Sequence, residues 1–322
     1  MQLLKSCNLM QVERINDKKI HWKSVSPRVS VTSFDSVTKN SGYGTSKIFV
    51  KHIKAEEKAI GPRVTLIMLH DLGQHHGRFQ KFIDWITREQ PGYSIICMDF
   101  VGHGSSSGTR GHFEKFADLA SDVHLLFNEI LSHKKDEFWV LMGHGIGGVV
   151  ALDYYNRFQP EKHSCLDAIV LSNFTMNLSS TFFQIGNFSK SHLGFVKNII
   201  SHIRPTHLLK SEDLMTDPIE ILEYKKDPLV VHRPTINSIQ EIKYKMGDLY
   251  QNSYFLEVPI LLLKGEADPL IYPSGMEHFS KGIKKDLLTQ KNYSLMKHDL
   301  YNEVNRENVF NDITEWIKSY EK

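Results

Sequence analysis

The residues with the clearest chemical promise run Val140, Leu141, Met142, Gly143, His144, Gly145, Ile146, Gly147, Gly148. An apolar strand feeding a glycine-studded turn and then a helix is the layout of a nucleophile elbow, whose apex side chain attacks an acyl carbon. Small residues two before and two after the apex let strand and helix pass without collision, and Gly143, Gly147 and Gly148 supply them. The apex itself is Gly145, so the oxygen that covalent attack needs is missing. The same glycines satisfy a dinucleotide fingerprint, Gly143-x-Gly145-x-x-Gly148. That reading wants the turn after the first strand and an acidic residue at the end of the second; here the turn follows the fourth or fifth strand, and Asp167 precedes its strand.

Positioning such a turn takes a sheet. Short apolar runs recur at Ile48 to Ile53, Val64 to Leu69, Tyr93 to Met98, Phe138 to Met142, Ala168 to Leu171, Ile260 to Leu263 and Tyr293 to Met296. Near-continuous apolar strands imply burial on both faces. Amphipathic stretches alternate with them, at Phe79 to Arg88, Phe113 to Leu131, Gly147 to Phe158 and Val304 to Tyr320. The alternation predicts an α/β fold, a mostly parallel sheet flanked by helices. Between about Asn173 and Val258 the rhythm breaks, punctuated by Pro205, Pro218, Pro228 and Pro234. This reads as an inserted helical cap, giving a core of residues 1–173 and 258–322 and a cap of 174–257.

With 322 residues, one large core is affordable, and a formal charge of +2 excludes bulk attraction to nucleic acid. Cys7, Cys97 and Cys165 are odd in number and far apart, which suits reduced thiols in a reducing compartment. Charged residues interrupt every apolar stretch of the first 23 residues, so a cytoplasmic chain without a cleaved signal is expected.

Three further strings carry a resemblance. Leu69 to Phe79, reading LHDLGQHHGRF, is similar to a His-Gly-x-Gly-Glu-His-x-x-Arg-Tyr segment; Asp99 to Gly108 resembles Asp-x-x-Gly-His-Gly-x-Ser-x-Gly; Tyr224 to Val230, with Asp227, Pro228 and Leu229, resembles a cap-exit segment. All belong to the monoacylglycerol lipase and lysophospholipase branch of the α/β-hydrolase superfamily, and the match spans nearly the whole chain. The resemblance implies serine-type ester hydrolysis with Gly145 at the nucleophile position, Asp268 as the orienting acid and His298 as the base, in the chain order this fold requires. It implies oxyanion-hole amides on Leu72 and Ile146. It implies no cofactor and no metal, and a small apolar ester or lipid as the partner.

Two positions depart from the family. Without the nucleophile only about 10³–10⁴-fold catalysis over water remains, so the chain as written is expected to be inactive or nearly so. Asp71 stands where the family has glycine; aimed inward, its carboxylate would oppose a developing oxyanion, whereas the plainer reading turns it outward or uses it to cap the following helix. Ser105, Ser106, Ser107 and Ser172 have no strained turn or base beside them, and His144 reads as a packing residue. Returning serine to position 145 is expected to create ester cleavage, because Asp268 and His298 remain.

The cap segment is dense in apolar side chains, among them Phe182, Phe183, Phe188 and Phe195, which suit an acyl-binding pocket or equally the cap's own small core. Lys190, Lys197 and Arg204 suit transient contact with lipid headgroups. Three functions therefore compete: a lipase-like hydrolase whose working form carries a serine, a pseudoenzyme that binds a lipid or other apolar ligand, and a protein-recruiting scaffold.

Overall fold

The computed structural model describes residues 22–40, 44–131, 137–158, 166–174, 201–205, 210–251 and 256–320. The apolar runs become the middle of a sheet. β4 (Val64–Leu69), β5 (Tyr93–Met98), β6 (Phe138–His144), β7 (Ala168–Ser172), β8 (Ile260–Gly265) and β9 (Leu288–Tyr293) are parallel neighbours. At the β5 edge, β3 (Gly44–Ile53), β2 (Val29–Asn40) and β1 (Lys23–Ser24) join antiparallel, giving the order β1-β2-β3-β5-β4-β6-β7-β8-β9.

Successive side chains of a strand face opposite sides of the sheet, and both sides are covered here. Ile67 and Leu69 of β4 enter one core with Phe116, Leu119 and Val123 of helix α2 (Phe116–Leu131) and Val149 to Leu152 of α3 (Ile146–Phe158). Leu66 and Met68 enter the other with Phe82, Ile83 and Ile86 of α1 (Gln80–Glu89) and Phe310 and Ile313 of the last helix. These four helices and the central strands lie within a residue or three of their sequence limits.

Between β7 and β8 the described residues hold helices and no strand: α4 (Ser211–Leu214), α5 (Pro218–Lys226) and α6 (Ile236–Gln251). α6 lies against α2 and α3 as well as α7 (Pro273–Lys281). The last helix, α8, spans Arg306–Lys318. Among the described residues no helix is long and apolar enough to cross a membrane.

The last strand corrects the sequence reading. It spans Leu288–Tyr293, and Tyr293 to Met296 instead forms the exit turn, with Met296 N–H donating to Tyr293 O. An edge strand reading Leu-Thr-Gln-Lys-Asn-Tyr is half exposed and leaves no apolar run to find. The antiparallel β2 was missed for the same reason, being rich in Ser and Thr, and β1 is only two residues long.

Candidate functional site

Parallel strands deliver their C-terminal ends to one edge, where the loops of an open α/β sheet gather reactive groups. Register fixes which loops meet: Leu69 pairs with Gly143, Gly143 with Leu171, and Gly265 with Tyr293. The residues just past those ends are Asp71, Gly145, Asp268 and His298, and the structure brings all four together.

The β6 to α3 turn is a genuine elbow. Gly145 has φ +54°, the left-handed region that costs little without a Cβ, and its N–H donates to Ser172 O at 3.0 Å. Gly147 lets α3 approach β4, since a Cβ there would lie 2.2 Å from Leu69 O.

His298 sits between two carboxylates. Its Nδ1–H donates to Asp268 Oδ2 at 2.7 Å and its Nε2–H to Asp71 Oδ2 at 3.1 Å, with all three side chains under a tenth exposed. Burial opposes charge on the ring, yet the charges and hydrogen bonds of Asp268 and Asp71 hold its pKa well above the ordinary 6.5. Burial likewise pushes the Asp71 carboxyl up, but the His298 hydrogen bond and charge, with the Ile146 amide, outweigh it and leave the pKa at about 2. The two neighbouring aspartates thus favour the protonated form of the His298 ring.

Asp71 overturns the plainer sequence reading. The carboxylate points inward and is 6% exposed. The helix that follows, a 3-10 turn at His76–Phe79, is capped instead by His75, whose ring accepts from Gly77 N–H. Asp71 Oδ1 accepts from Ile146 N–H at 2.8 Å, at the N-terminus of α3, where backbone amides and the helix dipole favour an anion. A Cβ built on Gly145 would fall 2.0 Å from that same oxygen. One carboxylate thus fills the space of an apex side chain, accepts from the Ile146 amide and receives the hydrogen bond of His298 Nε2.

The expectation for a simple serine return changes with it, because a serine side chain at position 145 and an inward Asp71 exclude each other sterically. Leu72 is buried on the same loop as Asp71. Phe182, Phe183, Phe188 and Phe195, with Lys190 and Lys197, lie outside the described residues. Arg204 is described and donates to Arg233 O at 3.0 Å. The serines of the Asp99 loop are structural: Ser106 donates to Asp99 O and accepts from Phe49 N–H, and Ser107 accepts from Lys47 N–H.

Residues that the sequence did not single out hold the His298 loop. Asn173 is buried with φ +39°, donates through Nδ2 to the carbonyls of Lys297 and His298 at 2.8 and 2.7 Å, and accepts from Gly265 N–H at 2.8 Å. Glu303 accepts from Lys297 N–H at 2.8 Å. Asp227, in the string noted above, accepts from His75 Nε2 at 2.8 Å and ties α5 to the Asp71 loop. The only signal for Asn173 was its place at a strand end, where asparagine tolerates left-handed backbone.

Comparison with known proteins agrees with this architecture. A monoacylglycerol lipase of Mycolicibacterium smegmatis is 24% identical over 263 residues, 80% of this chain and 89% of that protein. An uncharacterized abhydrolase domain-containing protein of Dictyostelium discoideum is 26% identical over 265 residues, 80% of this chain but 27% of the larger protein. A soluble variant of the Saccharomyces cerevisiae monoglyceride lipase, solved with a substrate analog, superposes with a TM-score of 0.73 at 17% identity, covering 90% of this chain and 97% of that one. The fold is that of the α/β-hydrolases, and with the pattern described as serine aminopeptidase, S33, matching residues 61–305, the chain belongs to that family.

Proposed function

We infer that this protein is a lipase-like member of its family that binds an apolar ester, such as a monoacylglycerol or lysophospholipid, without forming an acyl-enzyme on serine. The observation that carries this reading is the Asp71 carboxylate in the place of the apex side chain, 2.0 Å from where a Cβ of residue 145 would lie and hydrogen-bonded to both Ile146 N–H and His298 Nε2. An acyl carbonyl entering that space meets a fixed negative charge where its own oxyanion would develop, and the electrostatics that normally lower the barrier raise it. The ligand class comes from the lipase relatives and from the apolar side chains of residues 174–257.

The test has two parts on the full-length protein. Fluorophosphonate labelling and cleavage of p-nitrophenyl esters are expected to be absent, and mass spectrometry of the purified protein is expected to find a retained lipid with no covalent adduct. A fluorophosphonate adduct, or ester turnover abolished by His298→Ala, would sink the non-hydrolytic reading. Absence of any lipid, with no binding of added monoacylglycerol, would sink the ligand assignment. The competing hydrolase reading requires serine at 145 in the working form, and the same labelling decides it.

A further inference from the structure

The two departures from the family pattern place a second kind of chemistry at the elbow. One donor atom each of Asp71, His144 and His298 lies within 4.8 Å of the other two, and all three residues are buried. Hydrogen bonds select which atoms face inward. His298 Nδ1–H is given to Asp268 and His144 Nδ1–H to Ser172 O at 3.1 Å, so each ring has only Nε2 to offer. Asp71 Oδ1 is taken by Ile146 N–H, which leaves Oδ2.

His144 Nε2 is the unexplained atom. Its side chain has no exposure and the nitrogen has no hydrogen-bond partner. The nearest carboxylate oxygen, Asp299 Oδ1, stands 3.9 Å away and accepts instead from Asn302 Nδ2 at 2.9 Å. A buried imidazole whose far nitrogen is pinned to a carbonyl, with a bare Nε2 turned towards another histidine and an aspartate, has the tautomer and orientation of a metal ligand.

We propose that Asp71, His144 and His298 bind one divalent transition-metal ion, with zinc the best match. Two imidazoles and a carboxylate form a zinc-type ligand set, and three protein ligands leave a four-coordinate ion one position for water. Each ligand has an outer partner: Asp268 behind His298, the Ser172 carbonyl behind His144, and the Ile146 amide behind Asp71. The ion takes the place of the hydrogen between His298 Nε2 and Asp71 Oδ2, now 3.1 Å apart. With bonds of about 2.0–2.2 Å, tetrahedral ligands sit about 3.4 Å apart, so no edge of the triangle, each within 4.8 Å, need close by more than about 1.4 Å. Asp71 and Asp268, whose side chains are 8% and 4% exposed, supply negative charge for a dication to balance. Gly145 is the condition for all of this, because any side chain there would expel Asp71.

This site uses the residues of the proposed binding function but not its ligand, so the two readings fail separately. Chelator-treated full-length protein titrated with Zn²⁺ by calorimetry is expected to bind one equivalent at micromolar affinity or tighter, and Co²⁺ to give the visible absorption of a four-coordinate ion. His144→Ala and Asp71→Asn are each expected to weaken Zn²⁺ at least ~100-fold, and Asp268→Asn about 10–100-fold through the outer partner. His278→Ala, an exposed residue of α7, serves as the control. Anomalous diffraction at the zinc edge is expected to show a peak among the three side chains and needs no variant, so it decides the matter if a substitution unfolds the protein. No binding at millimolar Zn²⁺, affinity unchanged in folded His144→Ala, or an anomalous peak only elsewhere would each overturn the proposal.

Discussion

Two buried aspartates, Asp71 beside the elbow and Asp122 on α2, show how little burial alone decides. Burial pushes both carboxyls up. Asp71 ends at about 2 because an imidazolium and a helix N-terminal amide face it. Asp122 ends at about 7, since its partners, Ser36 Oγ at 2.8 Å and Val37 N–H at 2.9 Å, bring no charge. The first is an anion held for its charge. The second pins the β2 edge to α2 through two hydrogen bonds, with its pKa raised by burial. A carboxylate kept charged at such a cost beside the elbow is the feature on which the proposed function rests.

Breaking the Asp71 side of this contrast should have the largest effect. Gly145→Ser alone is expected to stay inert, with Asp71 contesting the space, whereas Gly145→Ser with Asp71→Gly is expected to raise p-nitrophenyl ester cleavage at least ~10²-fold, a small part of the ~10⁶ that a nucleophile is worth in a serine protease. Fluorophosphonate labelling of the double variant but not the single one is the direct readout. If the single variant is as active as the double, Asp71 does not block the apex.

Removing the charge that joins the pair comes next. His298→Ala leaves Asp71 and Asp268 facing each other without a cation, and is expected to cost about 3–5 kcal/mol in denaturant unfolding. Asp268→Asn keeps the imidazole and one carboxylate and should cost clearly less. Equal losses would mean that packing, not charge, holds the cluster.

The Asp122 side is read through pH. Its folded value of about 7 exceeds the ordinary 3.8, so the folded state keeps a proton that the unfolded state releases, and its contribution to stability falls as pH rises from about 4 to 7. Buried His70 and His103, lowered to about 3 and about 4, act in the opposite sense, so the quantity to measure is the difference between wild type and Asp122→Asn. Wild type should lose stability relative to the variant across that window; a flat difference would show that Asp122 is ionised in the fold. The smallest effect is expected from Ser36→Ala, about 1 kcal/mol for one hydroxyl donor.

Val64–Leu69 and Tyr93–Met98 were readable to the residue, because a strand buried on both faces must be apolar throughout. Leu288–Tyr293 was not, because an edge strand with one wet face carries no such mark. Within the site, Gly145, Asp268 and His298 stood in motifs whose spacing places them at strand ends. Asn173 and the free Nε2 of His144 did not, since their roles depend on partners brought from other strands of the sheet.

The chain's own order of residues determined the α/β architecture, the glycine elbow and the places of Asp268 and His298 just past strand ends, because these follow from local pattern and from distance along the chain. It left open whether Asp71 faced water or the core. Only the tertiary structure decided that: the side chain missing at 145 and the one added at 71 lie just past neighbouring parallel strands, 74 positions apart, and they compete for a single volume that exists only when β4 and β6 pair with Leu69 beside Gly143.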